Sequence, residues 1–111
     1  MQELTKAEEL LLLTVLRLKD GAYGVAIKEN IKEVTGKTVP YGTLYFLLDK
    51  LTVKGHVDKT LGDPTPERGG RRKTFYAITD KGVDALKQSF DQQSRAWTDF
   101  ATMDLHRGFG G

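Results

Sequence analysis

The sequence predicts a mainly helical α+β domain, with three short helices followed by a two-stranded hairpin and one long final helix. Three observations predict it. Apolar residues recur at helical spacing through the first half of the chain and again near its end. Between those stretches, over residues 57–61 and 74–79, the period falls to two and β-branched and aromatic residues take over. Glycines and prolines stand at the joins.

The first helix begins at Thr5-Lys6-Ala7-Glu8, which fits a capping box, and runs to about Lys19. Leu11, Val15 and Leu18 make one stripe, and Leu12, Leu16 and Ala7 spill round it. A helix apolar over so much of its girth needs cover on several sides. In a chain of 111 residues that means a core on one side and a second subunit on the other. The second helix covers about residues 25–34, with Ile27, Ile31 and Val34 as its buried stripe, and Lys28, Glu29, Lys32 and Glu33 in water. Gly36 ends it, and a tight link leads on.

The third helix lies within residues 38–55. Leu44, Leu48 and Leu51 form its core stripe, Pro40 suits its first turn, and Gly55 suits its stop. Gly42, Thr43, Phe46, Asp49 and Lys50 fall on the other side. Taken alone it is an ordinary amphipathic helix. Following another helix after a short turn, it has the layout of a helix-turn-helix.

After the two strands the helical period returns from Thr79 or Asp80 to about Met103. Val83, Leu86, Phe90, Gln93, Trp97 and Phe100 follow a 3-4-3-4-3 spacing, the seam of a coiled-coil-like pairing. The resulting organisation is a winged helix-turn-helix domain over 1–79, a dimerisation helix over 80–103, and a disordered Gly-rich tail over 104–111.

Charge is unevenly spread. The net formal charge is only +2, but residues 1–36 carry −1, residues 37–82 carry +4 and residues 83–111 carry −1. Half of the excess sits between the strands, where residues 62–73 hold two prolines, three glycines, and Arg68, Arg71, Arg72 and Lys73. Such a loop packs no core. It is either a solvated turn or a cationic wing directed at a phosphate backbone or minor groove, and its place after a helix-turn-helix favours the wing.

Other classes find little support. There is no cysteine. His56 and His106 stand far apart with no carboxylate cluster, so no metal site and no cofactor are expected. No serine has a histidine at catalytic spacing, and Gly69-Gly70 is a hairpin feature rather than a phosphate cradle. An enzyme is not expected. Glu3, Glu8 and Glu9 stand where a signal peptide carries positive charge, and the apolar run of residues 10–18 is too short for a bilayer. Cytoplasmic residence without membrane association is the expectation.

The ordered set of motifs resembles the PadR-type winged-helix transcriptional regulators. It comprises Tyr23-Gly24, Gly42-Thr43-Leu44-Tyr45, Leu48, Leu51, Gly55-His56-Val57, residues 67–73 (ERGGRRK), Tyr76, Ile78-Thr79 and Lys81-Gly82. The resemblance covers about residues 10–90 and matches the compact branch, with a single C-terminal helix. It implies a homodimeric repressor of palindromic promoter DNA, often released by an effector, and no catalysis. It places Pro40, Tyr41, Gly42, Thr43, Tyr45 and Phe46 in the recognition segment and Arg68, Arg71, Arg72 and Lys73 in the wing. Val39-Pro40 replaces the usual serine and Phe46 an often-found proline, so the preferred DNA sequence should differ.

The expected dimer interface combines Leu12 and Leu16 with Val83, Leu86, Phe90, Gln93, Trp97 and Phe100. Trp97, the single tryptophan, is either plain interface packing or the wall of a site for a planar aromatic effector. Tyr45 either reads DNA or caps the core. A winged-helix module for protein–protein assembly, with no DNA partner, is the alternative reading of the same elements.

Overall fold

The computed structural model describes residues 3–62 and 72–102. Helices α1 (Lys6–Leu18), α2 (Gly24–Thr35) and α3 (Tyr41–Val53) are followed by strands β1 (Val57–Leu61) and β2 (Thr74–Ile78), then helix α4 (Asp80–Thr102). The loop carrying Arg68 and Arg71, together with the tail from residue 103, lies outside the described residues.

Helices α1 and α3 show local start and stop devices. The Thr5 hydroxyl accepts the Glu8 amide at 3.1 Å and a Glu8 carboxylate oxygen accepts the Thr5 amide at 2.9 Å, completing the capping box. At the other end of α1, Lys19 takes φ 53° and ψ −123°, a conformation suited to glycine, before a single 3-10 turn over Lys19–Gly21. Pro40 is extended, at φ −60° and ψ 146°, and stands just before α3 rather than in its first turn. Helix α3 closes in a Schellman arrangement. The His56 amide donates to the Leu51 carbonyl, the Gly55 amide donates to the Thr52 carbonyl, and Gly55 takes φ 80°.

The core lies where α1, α2, α3 and the sheet meet. Leu12, Ile27, Leu44, Leu48 and Leu51 are all wholly buried there, with Val15, Val57 and Tyr76 closing the sides. Two expectations are corrected. Leu12 has no exposed surface at all, so it belongs to this core and has none to offer a second subunit; Leu13 and Leu16 are the exposed leucines of α1. Val34 is exposed, because the last turn of α2 runs past the elements it packs on.

Strands β1 and β2 pair antiparallel from Val57 opposite Ile78 to Leu61 opposite Thr74. The chain before α2 extends the sheet. Tyr23 bridges Phe75, and the Tyr76 amide donates to the Ala22 carbonyl at 2.8 Å. The wing is thereby tied to the start of α2 as well as to its own hairpin partner.

Helix α4 is fastened at its base. The Thr79 amide donates to the His56 carbonyl, and the Thr79 hydroxyl donates to the Gly55 carbonyl at 2.6 Å while accepting the Gly82 amide at 3.1 Å. A Cβ at Gly82 would run into the His56 carbonyl and come within 2.8 Å of Ile78 Cγ1. Only glycine permits this approach. Further along, Ser89 and Gln93 both donate to the Glu9 carboxylate of α1. Beyond Ser94, residues 95–99 are all exposed, and Phe100 is half-buried. No helix among the described residues is long and apolar enough to cross a membrane.

Candidate nucleic-acid interface

Helix α3 is divided as its sequence suggests. The stripe of Leu44, Leu48 and Leu51 is sealed in the core, and Pro40, Tyr41, Gly42, Thr43 and Phe46 are exposed. Among the described residues no side chain crowds Gly42, around which there is open space. Phe46 is 63% exposed, with the Lys50 ammonium 5.9 Å from its ring centre. An apolar ring left in water beside a hydroxyl and an open glycine can meet base edges and thymine methyls.

The two tyrosines of α3 act together. Tyr41 and Tyr45 stack with ring centres 6.1 Å apart. Tyr45 is 40% exposed and lays its ring edge over Gly24, where an added Cβ would come within 2.8 Å of Tyr45 Cζ. Tyr45 therefore covers the start of α2 while keeping part of its surface in water. The contact also explains why Tyr23-Gly24 and Gly42-Thr43-Leu44-Tyr45 occur in one chain.

Lysines hold to these rings. Lys28 of α2 places its ammonium 4.0 Å from the Tyr41 ring centre, and Lys73 places its own 4.2 Å from that of Tyr23. Each contact contributes about 0.5–1 kcal/mol where the ammonium is exposed and more as it is desolvated, and both lysines here are half-buried. Tyr23 meets Phe75 edge-on at 5.6 Å. Arg72 is exposed, and its Nε donates to the Gly62 carbonyl at 2.8 Å, closing the base of the hairpin. Of the expected wing cations, Arg72 and Lys73 are thus brought to the mouth of the hairpin, and Arg68 and Arg71 lie outside the described residues.

Behind the exposed turn, electrostatics fix the helix. The Lys54 ammonium, just past α3, lies 2.6 Å from Glu8 of α1. Burial alone would raise the Glu8 carboxyl. The Lys54 hydrogen bond and charge, the Thr5 amide and the charge of Lys50 outweigh it and hold the carboxyl below its usual 4.5. His56 is 3% exposed, and its Nδ1 has no hydrogen-bond partner among the described residues. Burial, together with the charges of Lys81 and Lys54, keeps this imidazole below its usual 6.5 against a smaller pull from Glu8.

The chain matches the model of the transcriptional regulator PadR-like family over residues 12–88. It belongs to that family. The match spans more than half the chain and nearly coincides with the stretch carrying the sequence motifs. A PadR family transcription regulator from Clostridium difficile is 26% identical, with 94% of this chain and 98% of that one covered and a TM-score of 0.64. The hsRosR-S4 complex is 32% identical over 96% of this chain and 83% of the relative, with a TM-score of 0.62. A transcriptional regulator from Clostridium thermocellum shares the fold at a TM-score of 0.69 and 23% identity, over 87% and 88% of the two chains. No curated protein matches the chain. This PadR-like chain is therefore a winged-helix transcriptional regulator and not an enzyme.

Sequence reasoning missed three features. Lys28 was assigned to open water, the Glu8–Lys54 pair spans 46 residues, and Leu13 escaped both stripes of α1. Of the expected dimer residues, Val83 and Leu86 are half-buried and Phe100 is partly covered, while Gln93 is exposed and tied to Glu9. Leu16, Phe90 and Trp97 are exposed. Trp97 and Phe100 meet edge-on at 5.4 Å. An open groove of about 470 Å³ runs between Leu13 and Leu16 of α1 and Val83, Leu86 and Phe90 of α4.

Proposed function

We propose that this PadR-like chain represses transcription as a homodimer on palindromic promoter DNA. The first turn of α3 enters the major groove, where Thr43 and Phe46 read base edges and methyls while Pro40, Tyr41, Gly42 and Tyr45 shape the approach. Arg68, Arg71, Arg72 and Lys73 hold phosphates or enter the minor groove. Residues 1–79 are the DNA-binding domain and residues 80–103 the pairing helix. The protein acts in the cytoplasm, where its DNA is.

One observation carries the reading. The leucine stripe of α3 is sealed while Thr43 and Phe46, one turn away, stand open beside a hairpin carrying Arg72 and Lys73. Pairing is supported by Phe90 and Trp97, large apolar side chains left 70% and 66% exposed along α4.

Selection of bound DNA from a random pool tests the whole reading. A palindrome with half-sites about 10 base pairs apart, or a multiple of that, is expected. Arg72→Ala should then flatten the salt dependence of binding without changing the selected sequence. Failure of the unmodified protein to retain any DNA at low salt would leave protein–protein assembly as the reading. Titration of planar aromatic dyes against Trp97 fluorescence tests for an effector. Saturable quenching supports one, and its absence leaves Trp97 as interface packing.

A further inference from the structure

We infer that Lys28, on the second helix, is a backbone-phosphate contact flanking the recognition helix, held ready by the ring of Tyr41. The inference rests on the DNA-binding reading above and adds to it a residue that lies outside both the recognition helix and the wing.

The geometry begins with a chain of aromatic contacts. Lys28 sits over Tyr41, Tyr41 stacks on Tyr45, and Tyr45 covers Gly24. The next residue back, Tyr23, carries Lys73. The exposed first turn of α3 is therefore joined to the base of the wing by tyrosines, with an ammonium at each end. Lys73 is already a wing cation. Lys28 is its counterpart on the opposite side.

The kind of partner each lysine has separates them by role. Lys54 meets Glu8 at 2.6 Å and Lys59 faces Asp49 at 3.9 Å, so both have a carboxylate to balance their charge. Lys28 and Lys73 have no carboxylate in ion-pair contact among the described residues, and each lies on an aromatic ring instead, at 4.0 and 4.2 Å, closer than Lys50, which stands 5.9 Å from the Phe46 ring on α3 itself. A ring attracts an ammonium through its quadrupole without neutralising it. The positive charge stays available to an anion. The side chain is meanwhile held in one region, so less rotamer freedom is lost on contact. Because Lys28 leaves from α2 and not from α3, its reach is to the rim of the groove that α3 enters, where the phosphodiesters run. It sets affinity and salt response, and it leaves base preference alone.

The experiment measures binding of the pool-selected DNA across a series of salt concentrations for the full chain, Lys28→Gln and Lys28→Arg. Lys28→Gln should reduce the slope of log affinity against log salt by about 0.9 for each bound copy of the chain. The selected sequence should be unchanged, and Lys28→Arg, which keeps both charge and ring stacking, should restore the slope. Thermal unfolding of the variants confirms that each is folded. If Lys28→Gln leaves the slope at the unmodified value, even with weaker binding, Lys28 only steadies Tyr41 and the inference is overturned while DNA binding stands. If the unmodified chain binds no DNA, both fall together.

Discussion

The Lys54 ammonium lies 2.6 Å from a Glu8 carboxylate oxygen whose residue has no exposed surface. This pair ties the capping box of α1 to the end of α3. It makes the N-terminal turn of one helix and the C-terminal turn of another depend on a single charge. Replacing Glu8 by Gln should lower stability by about 1–3 kcal/mol, since Lys54 loses its charged partner in a half-buried site. The sign with pH follows from the lowered carboxyl. Its contribution is complete above the usual 4.5 and disappears as pH falls through the lower folded value. Urea unfolding across acid pH should show a steeper loss in the unmodified chain than in Glu8→Gln.

His56 gives a second, separable acid response. Its folded imidazole titrates below 6.5, so its contribution is complete above 6.5 and falls as pH drops through the folded value. Proton NMR should find a midpoint below 6.5, and Lys81→Gln should move it upward by removing a repelling charge. A midpoint at or above 6.5 in the unmodified chain would contradict the packing described for it.

Gly24 and Tyr45 should behave as one unit. Gly24→Ala forces the Tyr45 ring away from α2 and should cost about 1–3 kcal/mol despite the better helix propensity of alanine. In a Tyr45→Ala background the same change should cost nothing or help. Additive effects in this double-mutant cycle would show that the ring does not fill the missing Cβ.

Lys19 holds a backbone conformation that glycine adopts without strain. Lys19→Gly should raise stability by about 1 kcal/mol, seen as a higher melting temperature. An unchanged or lower value would mean that the turn relaxes around lysine.

Phe90→Asp places a charge on a residue that is 70% exposed in the single chain. The domain should fold as before while the pairing of α4 is lost. Sedimentation should then give the mass of one chain where the unmodified protein gives two.

Much of the fold was legible because its signals are local. The capping box at Thr5, the stop at Gly55 and the leucines of α3 each need only a few neighbouring residues, and the structure has all three. Spacing shows which side of a helix is apolar, but not where the covering element ends. For that reason Val34 was placed inside and Leu12 at an interface. The partners of Lys28, Lys54 and Tyr45 were not legible, because a lysine beside a ring or a buried acid reads the same in sequence as one in water. Of the candidate site, the exposed side of α3 could be read from periodicity and the basic hairpin from composition. The tyrosine contacts joining them appear only once the chain is folded.

The glycine at position 82 bears on how such regulators can be recombined. Its backbone rests on the His56 carbonyl, and Thr79 bonds across the same joint. A chimaera cut between residues 79 and 80 keeps this joint only if the incoming first turn also carries glycine at this position. A cut after Gly82 instead leaves the whole joint, with the first turn of α4, on the winged-helix side.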